Sequence, residues 1–198
     1  MKAAYIRGLE AYAVKFAAGF HDNYRLGLPT GSGMMVMISS KTGFPQAVLL
    51  GNGYLTDVRT GAAGALASRH LARETIVTVG VIRSGVQARY QVRGIALVKA
   101  NRSYSHGSSN VLTSSRVIGS AQCFRLGELH HALEEGVLVR ESPVIELGEL
   151  TLGRHPGRES NDQITVCDLT GVGVQDTSIA RLAFQKALQK GLGTAFNA

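Results

Sequence analysis

Thr75-Ile76-Val77-Thr78-Val79-Gly80-Val81-Ile82-Arg83-Ser84-Gly85-Val86-Gln87-Ala88 reads as a buried strand over 75–82, a tight turn, and a helix from about 86 to 98. This is the shape of a dinucleotide-binding turn, in which the helix N-terminus offers unpaired backbone N–H groups to a pyrophosphate. Such a turn wants glycine first for the sharp bend, glycine second for close phosphate approach, and Gly or Ala third for packing. Gly85 and Ala88 fit, whereas Arg83 stands in the place of the first glycine. A side chain there disfavours the bend if it needs positive φ. Taken alone, the stretch is more simply an ordinary strand–turn–helix.

Upstream the chain is strand-rich. Residues 11–19 form a short apolar strand with Lys15 as its single charge, and 34–39 and 46–50 are apolar runs of strand length. Lys41-Thr42-Gly43 between the last two is a hairpin signal, and so short a connection makes the pair antiparallel. The period then changes. Leu55, Val58, Ala62, Leu66 and Ala67 recur at three- and four-residue spacing, which predicts a helix over 55–72 capped by Thr56 or Asp57.

Downstream, 99–114 has no apolar period and is dominated by serine, asparagine and glycine, an unusual length of irregular chain for a compact domain. After it come a strand remnant at 116–119, a short helix over 124–136 ending at Gly136, and a strand over 163–168. A last helix is expected over 176–190, with Asp176 or Thr177 as cap and Ile179, Leu182, Ala183 and Leu188 as its apolar stripe. The fold class these elements imply is α/β.

Composition narrows the function. A net charge of +7 comes from basic residues spread singly along the chain, with no RNP, zinc-finger or P-loop pattern, so no nucleic-acid partner is expected. No apolar run reaches the length of a membrane span, and the N-terminus lacks a signal-peptide pattern. Cys123 and Cys167 have no metal-ligand spacing and read as reduced thiols, so a cytoplasmic location is expected. His130 and His131, beside Glu128 and Glu134, look metal-like at first sight. Adjacent residues on a helix point to different faces, however, so no metal is expected. Asp168 and Asp176 are possible acid/base groups, though Asp176 is more simply a cap. Lys15 alone is more simply an edge or solvent-facing residue, and Arg59 a surface helix residue.

The flanking text makes the turn specific. GLPTGSGMM (27–35), NGYLTDVRTGAAGALA (52–67) and GVQARYQ (85–91) resemble, in order and spacing, the ornithine cyclodeaminase/mu-crystallin family of NAD(P)-dependent enzymes. QCFRLGELHHAL (122–133), ELGEL (146–150), GRES (157–160) and DQITVCDLTGVGVQD (162–176) are similar to the same family, with RLGELHH (125–131) most like its ectoine-utilization branch. The resemblance implies a β-rich dimerisation domain with packed helices, built from 1–74 and 120–198. It also implies a truncated Rossmann fragment over 75–119 that includes the irregular segment 99–114.

The same resemblance implies NAD or NADP as cofactor, a small amino-acid substrate such as ornithine or an ectoine-derived diamino acid, and a homodimer. The family's substrate-carboxylate lysine falls on Lys15, and its cofactor-contacting threonine on Thr30. Its phosphate-facing Arg-Thr pair falls on Arg59 and Thr60, and the dinucleotide turn on Gly85, Val86 and Gln87. The chemistry is apt, because a lysine on an apolar strand suits a carboxylate, and an arginine beside first-turn N–H groups suits phosphate. Two departures stand against this. The family carries further Rossmann strands, a ribose-reading acid and its catalytic aspartate where this chain has only 99–115, and it has an opening helix and strands before the point matching Met1. Two rivals are therefore open: a catalytically silent dimerising member, and an amino-acid binding module without chemistry.

Overall fold

The computed structural model describes residues 1–76, 78–81, 85–99, 115–117, 120–126 and 128–195, without the side chains of 115–117, 120, 121 and 128. Arg83 and, beyond Lys99, the segment expected to be irregular lie outside the described residues. The protein is α/β and divides into two compact units, residues 1–59 with 172–198, and residues 60–171.

The first unit is an antiparallel sheet in the order β1 (Lys2–Ala4), β2 (Ala11–Gly19), β3 (Gly31–Ser39), β4 (Pro45–Leu49). Each strand follows its neighbour in sequence, so every turn closes a local pairing. β2 matches the expected strand, and β3 begins three residues before the expected Met34 because the glycine-rich Gly31–Gly33 stays in the ladder opposite Ala17–Gly19. A Cβ on Gly33 would lie 2.5 Å from the Phe16 carbonyl, so that crossing needs glycine. Strand alternation turns Ala11, Ala13, Lys15, Met35, Met37 and Ser39 inward, all of them buried.

The last helix, α6 (Gly173–Gln189), belongs to this unit and lays Ala180 on Ala11, Ala13, Met35 and Met37. Facing alanines let the helix come close, and Gly173 meets the Ala3 backbone where a Cβ would be 2.7 Å away. Thr177 ties the helix to two strands, its hydroxyl donating to the Ala4 carbonyl at 2.6 Å and accepting from the Ala13 N–H at 3.0 Å. The expected cap is therefore corrected. Val172 is the N-cap, and Asp176 and Thr177 sit inside the helix, fully buried. The apolar stripe is corrected too. Leu182 and Leu188 are exposed, while Ala180, Ile179 and Phe184 pack on the core. A sequence periodicity that counts only apolar residues misses an inner face built on an aspartate and a threonine.

Helix α1 (Tyr54–Leu71) begins before Thr56 and Asp57, which lie in its first turn rather than capping it. Its buried residues, apart from Leu71 at the end, are small, among them Gly61, Ala63, Gly64 and Ala65, and Leu66 is exposed. In the second unit this small face meets α2 (Val86–Val98) with the backbones nearly touching. A Cβ on Gly61 would be 2.6 Å from the Tyr90 carbonyl, and one on Gly94 2.4 Å from the Gly61 carbonyl. The carboxyl end of α1 is closed from outside the helix. The Arg158 backbone N–H donates to the His70 carbonyl at 3.0 Å, and Arg158 Nε and Thr165 Oγ1 donate to the Leu71 carbonyl at 2.7 and 2.9 Å.

The same unit holds a small parallel sheet in the order β6 (Ile145–Glu146), β5 (Ser115–Val117), β7 (Val166–Asp168). Helices α3 (Ser120–Leu126), α4 (Glu128–Glu134) and α5 (Leu147–Thr151) complete it, α3 and α4 replacing the one helix expected over 124–136. The strand expected over 75–82 is corrected: its described residues form no strand, and only Val79 makes an isolated bridge. Beside it lies a cavity of about 470 Å³, lined by Leu71, Ile76, Val79, Ile95 and Cys167 among others. A buried parallel strand is held by neighbours on both edges, and among the described residues no sheet includes this stretch.

Candidate functional site

Three charged side chains converge inside the first unit. Lys15, inward on β2, places Nζ 2.8 Å from Asp176 Oδ1, and both side chains are almost wholly buried. Arg59, in the first turns of α1, brings Nε to 3.2 Å from the same oxygen, while its Nη1 donates to Gln175 Oε1 at 3.0 Å. Gln175 Oε1 also accepts the Val172 N–H at 3.3 Å, so it holds both the start of α6 and the guanidinium. Asp176 lies in the first turn of α6, where the positive end of the helix dipole favours a carboxylate.

The cluster is not saturated. The Arg59 Nε contact with Asp176 is close enough for ion pairing but off hydrogen-bond alignment, and among the described residues neither Arg59 Nε nor Asp176 Oδ2 has a hydrogen-bond partner. Buried polar atoms left in this state are costly, and they mark where a ligand group would fit. Burial lowers the Lys15 pKa, with the Asp176 hydrogen bond opposing and the nearby Arg59 charge adding to the fall. A narrow crevice of about 10 Å³ reaches Lys15 between Met35, Leu49, Leu55 and Thr56.

The other expected site residues are distributed as follows. Thr30 is exposed at the turn into β3, its carbonyl accepting the Phe20 N–H at 2.8 Å, and it is not part of the cluster. Thr60 follows Arg59 on α1 but belongs to the second unit, where its carbonyl accepts from Gln91 Nε2 at 3.2 Å. Gly85, Val86 and Gln87 form the start of α2, all exposed. Asp176, set aside in the sequence as a cap, is the centre of the site. A signal was present, since the stretch 166–176 pairs a strand and a helix start around two aspartates.

Asp168 is buried and structural, its Oδ2 accepting the Leu129 N–H at 3.2 Å in the first turn of α4. His130 and His131 do not diverge as expected. Both approach Glu134, at 3.3 and 3.5 Å, because residues three and four back share a helix face with it. The Cys167 thiol is pushed up to about 12, mainly by burial and then by Asp168 and Cys123. It is inert as a nucleophile at neutral pH.

The fit for a dinucleotide divides in two. Gly85 caps α2 in an extended conformation without a side-chain cap, and nothing lies within 4 Å of where a Cβ would stand, so the backbone at this helix start leaves room for a phosphate's close approach. The adenosine side does not fit. No carboxylate occurs between Glu74 and Glu128 to read a ribose, and the described part of 75–81 builds no strand to shelter the base.

Known proteins share this architecture. An archaeal alanine dehydrogenase dimer with bound NAD superposes with a TM-score of 0.86 at 24% identity, covering 98% of this chain and 82% of that one. The Delta(1)-pyrroline-2-carboxylate reductase of Thermococcus litoralis, in complex with NADH and L-proline, gives 0.87 at 23% identity over 94% and 81%. In sequence, an uncharacterised cyclodeaminase of Sinorhizobium fredii is 36% identical, covering 99% of this chain and 82% of the relative. That match spans 272 aligned positions against 198 residues here, so at least 74 of its positions have no residue in this chain. The ornithine cyclodeaminase/mu-crystallin sequence profile matches residues 1–103 and 108–191, breaking inside 99–114. On both counts the chain belongs to the ornithine cyclodeaminase/mu-crystallin family.

Proposed function

We propose that this chain carries the substrate half of an NAD(P)-linked amino-acid cyclodeaminase or imine-reductase site. Lys15 and Arg59 hold the α-carboxylate of a small amino or imino acid, and Asp176 positions both cations. The observation that carries this reading is the buried Lys15–Asp176–Arg59 cluster with an orphaned donor, Arg59 Nε, for the carboxylate and an orphaned acceptor, Asp176 Oδ2, for the ligand's amine. A ligand carboxylate would accept from Arg59 and Lys15 in charge-assisted hydrogen bonds, the strong kind. When bound, the nicotinamide supplies hydride transfer at Cα, with Thr30, Thr60, Gly85, Val86 and Gln87 on the dinucleotide side. The aligned positions without a counterpart fall within 99–114 in this reading, and the cofactor side is incomplete because of it.

The test is calorimetric titration of the full chain with L-alanine and L-proline, without cofactor. Binding that disappears in Lys15→Met supports the reading. Binding that Lys15→Met leaves unchanged, or none at all, refutes it.

A homodimer through the outer face of the β1–β4 sheet accompanies this function. Phe16, Met34 and Val48 are exposed there on alternate strand positions, with Tyr12, Val14, Val36 and Ile38 half-buried beside them. Together they form an apolar face of the sort that self-pairs about a two-fold axis. Light scattering at micromolar concentration is expected to give the dimer mass; a soluble monomer would remove this part. The narrower substrate reading, an ornithine-like or ectoine-derived diamino acid, rests on the resemblance alone.

A further inference from the structure

Gln175, half-buried at the start of α6, is tied down by its own helix. Its backbone N–H donates to the Val172 carbonyl at 3.1 Å, and its Oε1 accepts the Val172 N–H at 3.3 Å. That reciprocal closure restrains the side chain, so the helix start sets where Oε1 stands. The same oxygen accepts from Arg59 Nη1 at 3.0 Å, a contact reaching across 116 positions of chain. Both groups that meet it are donors, so the amide oxygen faces them and the NH2 turns away. One end of the guanidinium is thereby fixed, with its Nε 3.2 Å from Asp176 Oδ1.

The choice of an amide here is the informative part. A glutamate would make both bonds, would suit the positive end of the α6 dipole, and would add an ion pair with Arg59. Its drawback within the protein is the neighbouring Asp176, whose carboxylate is itself paired with Lys15. A glutamate would also answer the Arg59 charge, which already shares Asp176 Oδ1 with Lys15. An amide steers the guanidinium through a dipole and leaves its charge to a ligand.

We infer that Gln175 is a positioning residue for ligand binding, aiming Arg59 at the ligand carboxylate without discharging it. This rests on the carboxylate-site reading of Lys15 and Arg59 and names what tunes that site.

The test titrates the full chain with L-alanine and L-proline at neutral pH, for the parent, Gln175→Glu and Gln175→Met, with circular dichroism to show each variant folded. Gln175→Glu keeps both hydrogen bonds but brings a negative charge, and is expected to weaken binding about tenfold. Gln175→Met keeps neither bond but stays neutral, and is expected to weaken it about threefold. A merely structural role gives the opposite order, since Gln175→Glu preserves what the helix start needs. Binding in Gln175→Glu as tight as in the parent, or tighter than in Gln175→Met, overturns the inference. So does unchanged binding in Gln175→Met, or loss of the fold in Gln175→Glu, which would assign the amide to folding. If the parent binds in a Lys15-dependent manner in those cases, the carboxylate site stands and only the role of Gln175 falls. If the parent binds neither amino acid, both fall together.

Discussion

The sheet-and-helix unit and the unit around α1 and α2 are built from comparable sequence material, yet they differ in what holds them. In the first, every strand pairs with its sequence neighbour, and α6 closes the core with the buried Lys15–Asp176–Arg59 cluster. In the second, two helices touch through glycine, a three-stranded parallel sheet has strands of two and three residues, and a cavity of about 470 Å³ flanks the chain at 75–79. Antiparallel neighbours arrive with the next turn of the chain, whereas parallel neighbours come from distant sequence. A chain with at least 74 fewer positions than its relative loses the second kind of partner first.

The largest effect that could break this comparison lies in the first unit. Asp176→Ala leaves two buried cations without their carboxylate and is expected to cost about 3–5 kcal/mol in denaturant unfolding. A loss below about 1 kcal/mol would mean that the cluster does not organise the unit. In the second unit, Gly94→Ala drives a methyl group against the Gly61 carbonyl and is expected to cost about 1–3 kcal/mol. An unchanged midpoint would show that α1 and α2 are not in backbone contact.

The smallest effect sharpens the electrostatics. The Lys2 pKa is lowered by burial and then by Lys15 and Arg59. A lysine with a lowered folded-state pKa costs stability in full at pH below that pKa. The cost fades as pH rises from there toward the ordinary lysine value. Lys2→Met is therefore expected to be more stable than the parent at pH 7, by about 0.5 kcal/mol at a half-exposed site. The advantage should close by about pH 10.5. An advantage that persists at that pH would trace it to packing instead of charge.

The sequence was legible where the chain pairs with itself nearby. The strand over 11–19, the hairpin at 41–43 and the helices at 55–72 and 86–98 all stand close to their expected bounds, because period and turn chemistry are local. Lys15 and Arg59 were singled out, but their meeting on Asp176 was not, since residues 117 and 161 positions from it in the chain leave no local trace of that contact. The strand over 75–82 failed for the opposite reason. Its β-branched run is a true local preference, but a central strand is realised only when neighbours exist. The stripe of α6 was misread because a buried aspartate and threonine look like caps when partners are out of view.

The central claim is that the substrate side of the family's site is kept and the dinucleotide side is not. Calorimetry of the purified chain with NAD and with NADP tests it most directly. The start of α2 leaves room for a phosphate beside Gly85, but a dinucleotide left largely in water recovers little of the freedom it loses on binding. The expected result is binding too weak to saturate at millimolar cofactor, with no cofactor-dependent ammonia release from ornithine or diaminobutyrate. A dissociation constant in the low micromolar range, or such release that disappears in Lys15→Ala, would contradict the account.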